Sequence, residues 1–424
     1  MDRRTFVKSC ASASLFGVFG QYGCCTIGGE ERYPGWKPGE MDLHFVYTGC
    51  GENMFYRLPD GTSILNDTGD FYRPRDLEQV PLLPSAARLG GEWMSRYVAR
   101  VYPEKTIDYL IFSHYHSDHI GHAVFDKSDT PLESYRYRTL EGGRRINGFL
   151  CVAQDFSFAR YLDHQGAERG KYNTHDTSMK LVEEWLAEEK AKGLVQEEFR
   201  PGALDQIRLL RNPEKYKGVF SVRNICANGR LWDGKDGVHD YAAGHVAATG
   251  AKKLPQNPLS LGFVIQYGRF RYWAGGDVNG KYRTPGGGTV NYEAEVGKRI
   301  GKVTVCKMNH HGCSDSMCED FVRAVRADAY VSCVWCPSQV NDKTMVHMAN
   351  DDIHGGVSPR ILPNLVPASQ AQRYRGRDFM ENVVPDGPAH IVVKVHPGGE
   401  SYSIYLLDPH DESMRVMKRI DCEV

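Results

Sequence analysis

The run FSHYHSDHIGH, residues 112–122, brings His114, His116, His119 and His122 together with Asp118. Imidazole nitrogens and carboxylate oxygens suit zinc, and a site built from them can keep positions open for water or substrate. His114 and His116 alternate, so on an extended loop they project the same way. Asp118 and His119 follow and can serve a second position. The competing reading is a polar loop with an accidental excess of histidine. What separates the two is whether matching ligand types recur later, and they do. Asp277 closes RFRYWAGGD, and His310 and His311 close KVTVCKMNHHG. Asp277 can bridge two metals. Asp67, at the end of SILND, can orient the cluster from behind, as carboxylates behind metal-binding histidines do.

Each of these residues follows a segment that can hold it still. IDYLIFS is a compact apolar run that reads as a buried strand, so the histidine run sits at a strand's end, where a rigid element positions ligands. DLHFVYTG and MFYRLPDGTSILND alternate apolar and polar residues, with PDG as a tight turn. LSLGFVIQYG and RFRYWAGGD read as paired strands, DAYVSCVW as a strand, and AHIVVKVHPGGESYSIYLL as a closing hairpin. GGEWMSRYVARVY, HDTSMKLVEEWLAEEKAKGL, NYEAEVGKRIG and SMCEDFVRAVRA read as helices. FRPGALDQIRLLRNPEKYKG reads as a shorter helix followed by a loop. ESYRYRTLEGGRRINGF mixes basic and aromatic residues. It reads as a solvated loop, with a phosphate-facing lip as the alternative. Strands and helices alternate in two halves, so the class is α/β or α+β with sheets covered by helices.

The chain has 424 residues, 41% of them hydrophobic and 25% charged. That supports a sizeable core and one to three domains. Lys and Arg number 52 against 53 Asp and Glu, so no global basic excess exists to hold nucleic acid. No segment after the N-terminus is apolar for long enough to span a bilayer. The start, MDRRTFVKSCASASLFGVFGQYGCC, has the layout of an export signal over residues 1–25. Arg3, Arg4 and Phe6 resemble the twin-arginine type, which implies a periplasmic or other extracytoplasmic destination. Cys24 or Cys25 is a candidate for lipid attachment, although Gln21 stands where an aliphatic residue is expected. Residues 26–40 read as a Gly/Pro/charged linker, and residues 41–424 as the folded domain. Among twelve cysteines, Cys313, Cys318, Cys333 and Cys336 fall close together and could bind zinc or form disulfides. Cys333 lies in an apolar strand, however, and free cysteine is among the most buried residue types, which favours small buried side chains.

Taken in order, FVYTGCGENMFYRLPDGTSILNDTG, SHYHSDHIGH, NPLSLGFVIQYGRFRYWAGGD and KMNHHG resemble the metallo-β-lactamase superfamily. Within it they resemble the variant found in the hydrolase domain of competence-type DNA-uptake proteins and in choline-phosphate esterases. The resemblance runs from about Met41 to Leu407. It implies a four-layer αβ/βα sandwich, with an insertion at about residues 125–240 between the first metal motif and the bridging aspartate. It implies two zinc ions held by His114, His116, Asp118, His119, Asp277 and His311. His245 is expected as the remaining histidine ligand, with His239 as the alternative. Asp118 would also orient the attacking hydroxide, and His310 would contact a substrate phosphate or assist a leaving group. Lys307 could neutralise an oxyanion or be an ordinary strand-end lysine.

The activity implied is that of an exported dinuclear zinc hydrolase acting on a small-molecule phosphodiester or related ester through metal-bound hydroxide. The His310–His311 pair is what favours phosphoesters. A lactone or β-lactam amide hydrolase would use the same centre, because fold does not settle chemistry. A non-catalytic metal or redox protein built on the Cys313–Cys336 group is a third class. The surplus of ligands in the histidine run weighs against it, since structural zinc sites close on four.

Overall fold

The computed structural model describes residues 31–122, 136–164, 172 and 177–424. The export signal, its arginine pair and Cys24 and Cys25 lie outside the described residues.

The chain opens with β1 (Met41–Phe45), β2 (Asn53–Arg57) and β3 (Ser63–Thr68), followed by α1 (Gly90–Val101) and β4 (Thr106–Ile111). After the histidine run, which carries the single turn α2 (Ser117–Ile120), come the short strands β5 (Arg138–Thr139) and β6 (Arg145–Ile146) and the turn α3 (Phe149–Val152). Next are β7 (Ser157–Asp163), α4 (Thr177–Ala191) and β8 (Val195–Glu198). The second half holds β9 (Phe220–Ala227), β10 (Arg230–Trp232), β11 (Val238–Asp240), α5 (Tyr241–Thr249), β12 (Gly262–Tyr267) and β13 (Phe270–Ala274). It continues with β14 (Lys281–Arg283), β15 (Thr289–Asn291), α6 (Tyr292–Ile300), β16 (Val305–Lys307), α7 (Glu319–Val325), β17 (Ala329–Ser332) and β18 (Arg360–Pro363). Finally β19 (His390–Val395), β20 (Ser401–Leu407) and β21 (Val416–Glu423) return to the first half.

Two large sheets result, ordered β21-β20-β19-β1-β2-β3-β4-β7-β8 and β11-β10-β9-β12-β13-β16-β17-β18. Each is antiparallel at one side and parallel at the other: β3, β4, β7 and β8 run parallel in the first, and β13, β16, β17 and β18 in the second.

Strand periodicity decides the layering. Phe263 and Ile265 of β12, with Tyr109 and Ile111 of β4, enter a core shared by the two sheets. Val264 of β12 faces the other way and packs with Tyr292, Val296 and Ile300 of α6 and Phe321 of α7. Leu110 of β4 does the same beneath Met94 and Val98 of α1 and Trp185 of α4. The helices present these residues at intervals of three to four, an apolar stripe on one face. Three cores therefore separate four layers, helix–sheet–sheet–helix, as the resemblance implies.

Within the stretch read as an insertion, β7 and β8 extend the first sheet and β9, β10 and β11 belong to the second. Other expectations need correcting. FRPGALDQIRLLRNPEKYKG forms only a 3₁₀ turn at Pro213–Tyr216. Pro201 and Gly202 stand where the helix would start, and Gly202 has φ +90, a value that breaks a right-handed helix. Part of the expected linker is fixed in place, because Tyr33 donates to Asp42 at 2.5 Å and Lys394 binds both Asp42 and Glu40. In the basic run, Arg138 and Arg144 pair with Glu92 and Glu188, so their forks are already committed.

Candidate metal centre

The parallel strands of both sheets end at one rim, and the ligand types sit just past those ends. His114 and His116 follow β4, and α2 turns Asp118 and His119 inward. Asp67 lies near the end of β3, Asp277 follows β13, and His310 and His311 follow β16.

Backbone contacts lock the first-sheet loops together. The Glu52 N–H donates to the Asp118 carbonyl at 2.7 Å, and the Gly69 N–H donates to the Glu52 carbonyl at 2.8 Å. A Cβ at Gly51 or Gly69 would run into the Asp118 backbone, which is why the chain has glycine at both places. On the other sheet, His310 and His311 hold φ 44 and 52. Such left-handed backbone costs about 1–3 kcal/mol per residue and survives only where surrounding contacts over-determine it.

Two groups of donors converge. Glu52, His119, Asp277 and His311 offer ligand atoms that all lie within 4.8 Å of one another, and His114, His116 and Asp277 form a second such group. Asp277 belongs to both. Neither of its buried carboxylate oxygens makes a hydrogen bond. Around Oδ1 stand nitrogens of His119 at 3.3 Å, His311 at 3.6 Å and Lys307 at 3.7 Å. Around Oδ2 stand those of His114 and His310, each at 3.8 Å.

The ring tautomers test whether a cation fits. Nδ1 of His119 faces Asp67 Oδ2 at 3.0 Å, and Nδ1 of His311 faces the Cys333 carbonyl at 2.9 Å. Both partners are acceptors, so in the neutral rings Nδ1 carries the proton and Nε2 carries the lone pair. Those two Nε2 atoms lie 3.2 Å apart, and Asp118 Oδ2 lies 3.2 Å from that of His311. Two lone pairs and a carboxylate oxygen repel at this range unless a proton or a metal cation stands among them. The residues fit a metal.

Electrostatics agree. Burial disfavours charge on His119, but Asp277, Asp118 and Asp67 outweigh it and hold its pKa well above the usual value. Burial opposes ionisation of Asp277 too, and His119, His311 and His310 overcome it, so its carboxyl lies well below the usual range. Asp118 is lowered in the same way, against burial, by His119 and His311. His114 is lowered well below, by burial first and then by His119 and His116.

His310 stands at the rim of the cluster. Its Nδ1 meets Asp315 at 2.6 Å, and Asn257 Nδ2 lies 3.1 Å from its Nε2. Lys307 is fully buried, bonded to Glu52 at 2.8 Å and to the Gly276 carbonyl at 2.6 Å.

Two expected ligands are not brought here. His245 lies on α5, where its Nδ1 accepts the Arg283 backbone N–H at 2.9 Å and its ring rests on Tyr282. His239 is exposed on β11 beside Tyr241. Both sit on the outer face of the second sheet, in neither donor group. His122 lies outside both groups, and so does the expected ligand Asp118, whose Oδ2 stands 3.2 Å from His311 Nε2 and 3.7 Å from His119 Nε2. Among the described residues, Glu52 is a donor-group member that sequence reasoning missed. Its only signal is a glycine-flanked acidic residue just before a buried strand.

Residues 47–138 match the metallo-beta-lactamase superfamily. That stretch carries Glu52, Asp67 and the whole histidine run. Two solved structures are similar to the chain: Zn²⁺-bound PqqB from Methylobacterium extorquens and a diphosphatase of the PhnP family. The first is 10% identical, covers 64% of this chain and 72% of its own, and has a TM-score of 0.30. The second is 8% identical, covers 84% and 97%, and has a TM-score of 0.31. No curated protein sequence matches the chain.

Proposed function

We propose that the protein is an exported, dinuclear zinc-dependent hydrolase acting on a small-molecule phosphodiester or related ester. Within the superfamily its four motifs fit the competence-type hydrolase and choline-phosphate esterase variant. The observation that carries the reading is Asp277, whose buried carboxylate makes no hydrogen bond and is shared by two groups of donors. One metal would be held by His114, His116 and Asp277. The other would be held by His119, His311 and Asp277, with Asp118 and Glu52 beside it. When bound, such a pair supplies Lewis acidity and a water acidified to near neutrality.

The chain's own groups do the rest. Asp67 fixes the His119 tautomer by accepting its Nδ1 proton, and the Cys333 carbonyl does the same for His311. Asp118 accepts a hydrogen bond from the attacking water and orients it. His310, steadied by Asp315 and Asn257, hydrogen-bonds a non-bridging oxygen or protonates the leaving group. Lys307 takes no part in oxyanion binding, because it is fully buried and Glu52 and the Gly276 carbonyl hold two of its three ammonium hydrogens.

The rim of His310, Asn257 and Asn279, with Asp315 as the acceptor that holds His310, favours a phosphoester over a lactone or β-lactam amide, since its donors suit a substrate that is anionic before the reaction begins. The redox alternative has less support. None of Cys313, Cys318, Cys333 and Cys336 enters a donor group among the described residues, and Cys333 is fully buried. Elemental analysis of protein purified without chelator tests the reading, and about two zinc ions per chain are expected. A panel of phosphodiesters and lactones then separates the bond types, and iron or no metal would overturn the proposal.

A further inference from the structure

Trp335 follows β17 and leans over the cluster. Its indole Nε1–H donates to His311 Nε2 at 3.3 Å. That acceptor is the lone pair a bound metal would take. Four other indoles, those of Trp36, Trp93, Trp232 and Trp273, donate to carbonyl oxygens. Trp335 alone among these five spends its donor on a ligand nitrogen. The ring cannot easily turn away. Phe71 packs edge-on against it at 5.2 Å, the Arg73 guanidinium covers it at 5.3 Å, and Asp76 holds Arg73 at 2.8 Å. The Trp335 backbone N–H is fixed by Gln339 at 2.9 Å.

We propose that the Trp335 indole N–H is a substrate-binding donor for a phosphoryl oxygen. Once His311 Nε2 is committed to a metal, the N–H loses its acceptor while Phe71 and Arg73 keep it aimed at the same spot. A partly exposed N–H without a partner beside a metal is a preorganised donor for an anionic oxygen. The substrate class is thereby narrowed to esters with a non-bridging anionic oxygen. This rests on the metal centre proposed above, but its test does not require turnover.

The test uses the zinc-loaded full chain labelled with ¹⁵N in its indoles, with inorganic phosphate as the probe. The chain has six tryptophans, and the Trp335 resonance is the one missing from Trp335→Phe, or from Trp335→Tyr if the first variant does not fold. In the wild type, that resonance should move when zinc is added and move again with phosphate. Phosphate should bind Trp335→Phe roughly tenfold more weakly, the size of one charge-assisted hydrogen bond, at unchanged zinc content and melting temperature. With bis(4-nitrophenyl) phosphate, KM should rise by about the same factor, with a smaller change in kcat. A resonance indifferent to phosphate, or phosphate affinity within about twofold of wild type, overturns the proposal. Loss of zinc from the variant overturns it too, because Trp335 would then only orient His311. Wild type that binds phosphate through Trp335 yet cleaves no phosphodiester would sink the proposed activity and leave the donor standing.

Discussion

His119 and His311 point their Nε2 atoms at each other across 3.2 Å, each with its Nδ1 already tied to an acceptor behind it. One comes from a loop of the first sheet and the other from a loop of the second. Without a metal, a proton on His119 relieves the contact: against the opposing effect of burial, Asp277, Asp118 and Asp67 hold the pKa of that ring well above the usual value.

Asp67 should therefore govern metal affinity without touching the metal. Asp67→Asn removes the carboxylate that fixes the His119 tautomer. Zinc affinity, measured by competition with a chromogenic chelator, should fall about 10–100-fold. Unchanged affinity would mean that Asp67 serves only its other bond, to the Ser113 N–H.

His245 and Glu52 form a matched pair of tests. His245→Ala should leave zinc content intact and activity within about twofold of wild type, since its contacts with Arg283 and Tyr282 lie away from both donor groups. Glu52→Gln should lower zinc affinity, because it weakens one of four converging donors. The reverse pattern would restore the histidine that the sequence suggested.

The Glu52–Lys307 pair should dominate stability near the site. Both side chains are fully buried, and breaking such a pair from one side costs about 3–5 kcal/mol. Urea unfolding in excess chelator should show that loss for Lys307→Met and a smaller one for Lys307→Met combined with Glu52→Gln. Equal losses would show that the two charges do not depend on each other.

Acid should weaken the fold through a histidine outside the two donor groups. Burial pushes His390 down to about 3, and its Nδ1 accepts the Tyr47 N–H at 3.0 Å. An unfolded histidine titrates near about 6.5. Between those values the unfolded chain takes up a proton that the folded chain refuses. Stability is thus unaffected above about pH 6.5 and falls below it, by about 1.4 kcal/mol per pH unit for this one group. Comparing unfolding at pH 7, 6 and 5 for wild type and His390→Gln should show a shallower slope in the variant. Parallel slopes would refute the assignment.

Much of this was legible in the sequence, for a physical reason. His114, His116, Asp118 and His119 are near neighbours in the chain, and Asp277 and His311 each end a run whose alternation marks a strand. A side chain at a strand's end has a direction that period two dictates. Glu52 was not legible, because it reaches the cluster through backbone bonds to Asp118 and Gly69 that no spacing announces. His245 misled for the opposite cause. AAGHVAATG looks like a loop, yet Asp240 caps it as a helix through the Ala243 N–H, and that helix lies along β14. In residues 125–240 the strands β7 and β8 carry charged residues near a sheet edge, which blurs the alternation that marks a core strand.

The split origin of the donors has a mechanical meaning. A metal held between His119 and His311 would tie together points 192 residues apart in the chain. It would act as a reversible cross-link, closing a loop long enough for about 5 kcal/mol of chain entropy by the reasoning used for disulfides. Metal supply would then set how tightly the two sheets are clasped, as well as whether chemistry can occur.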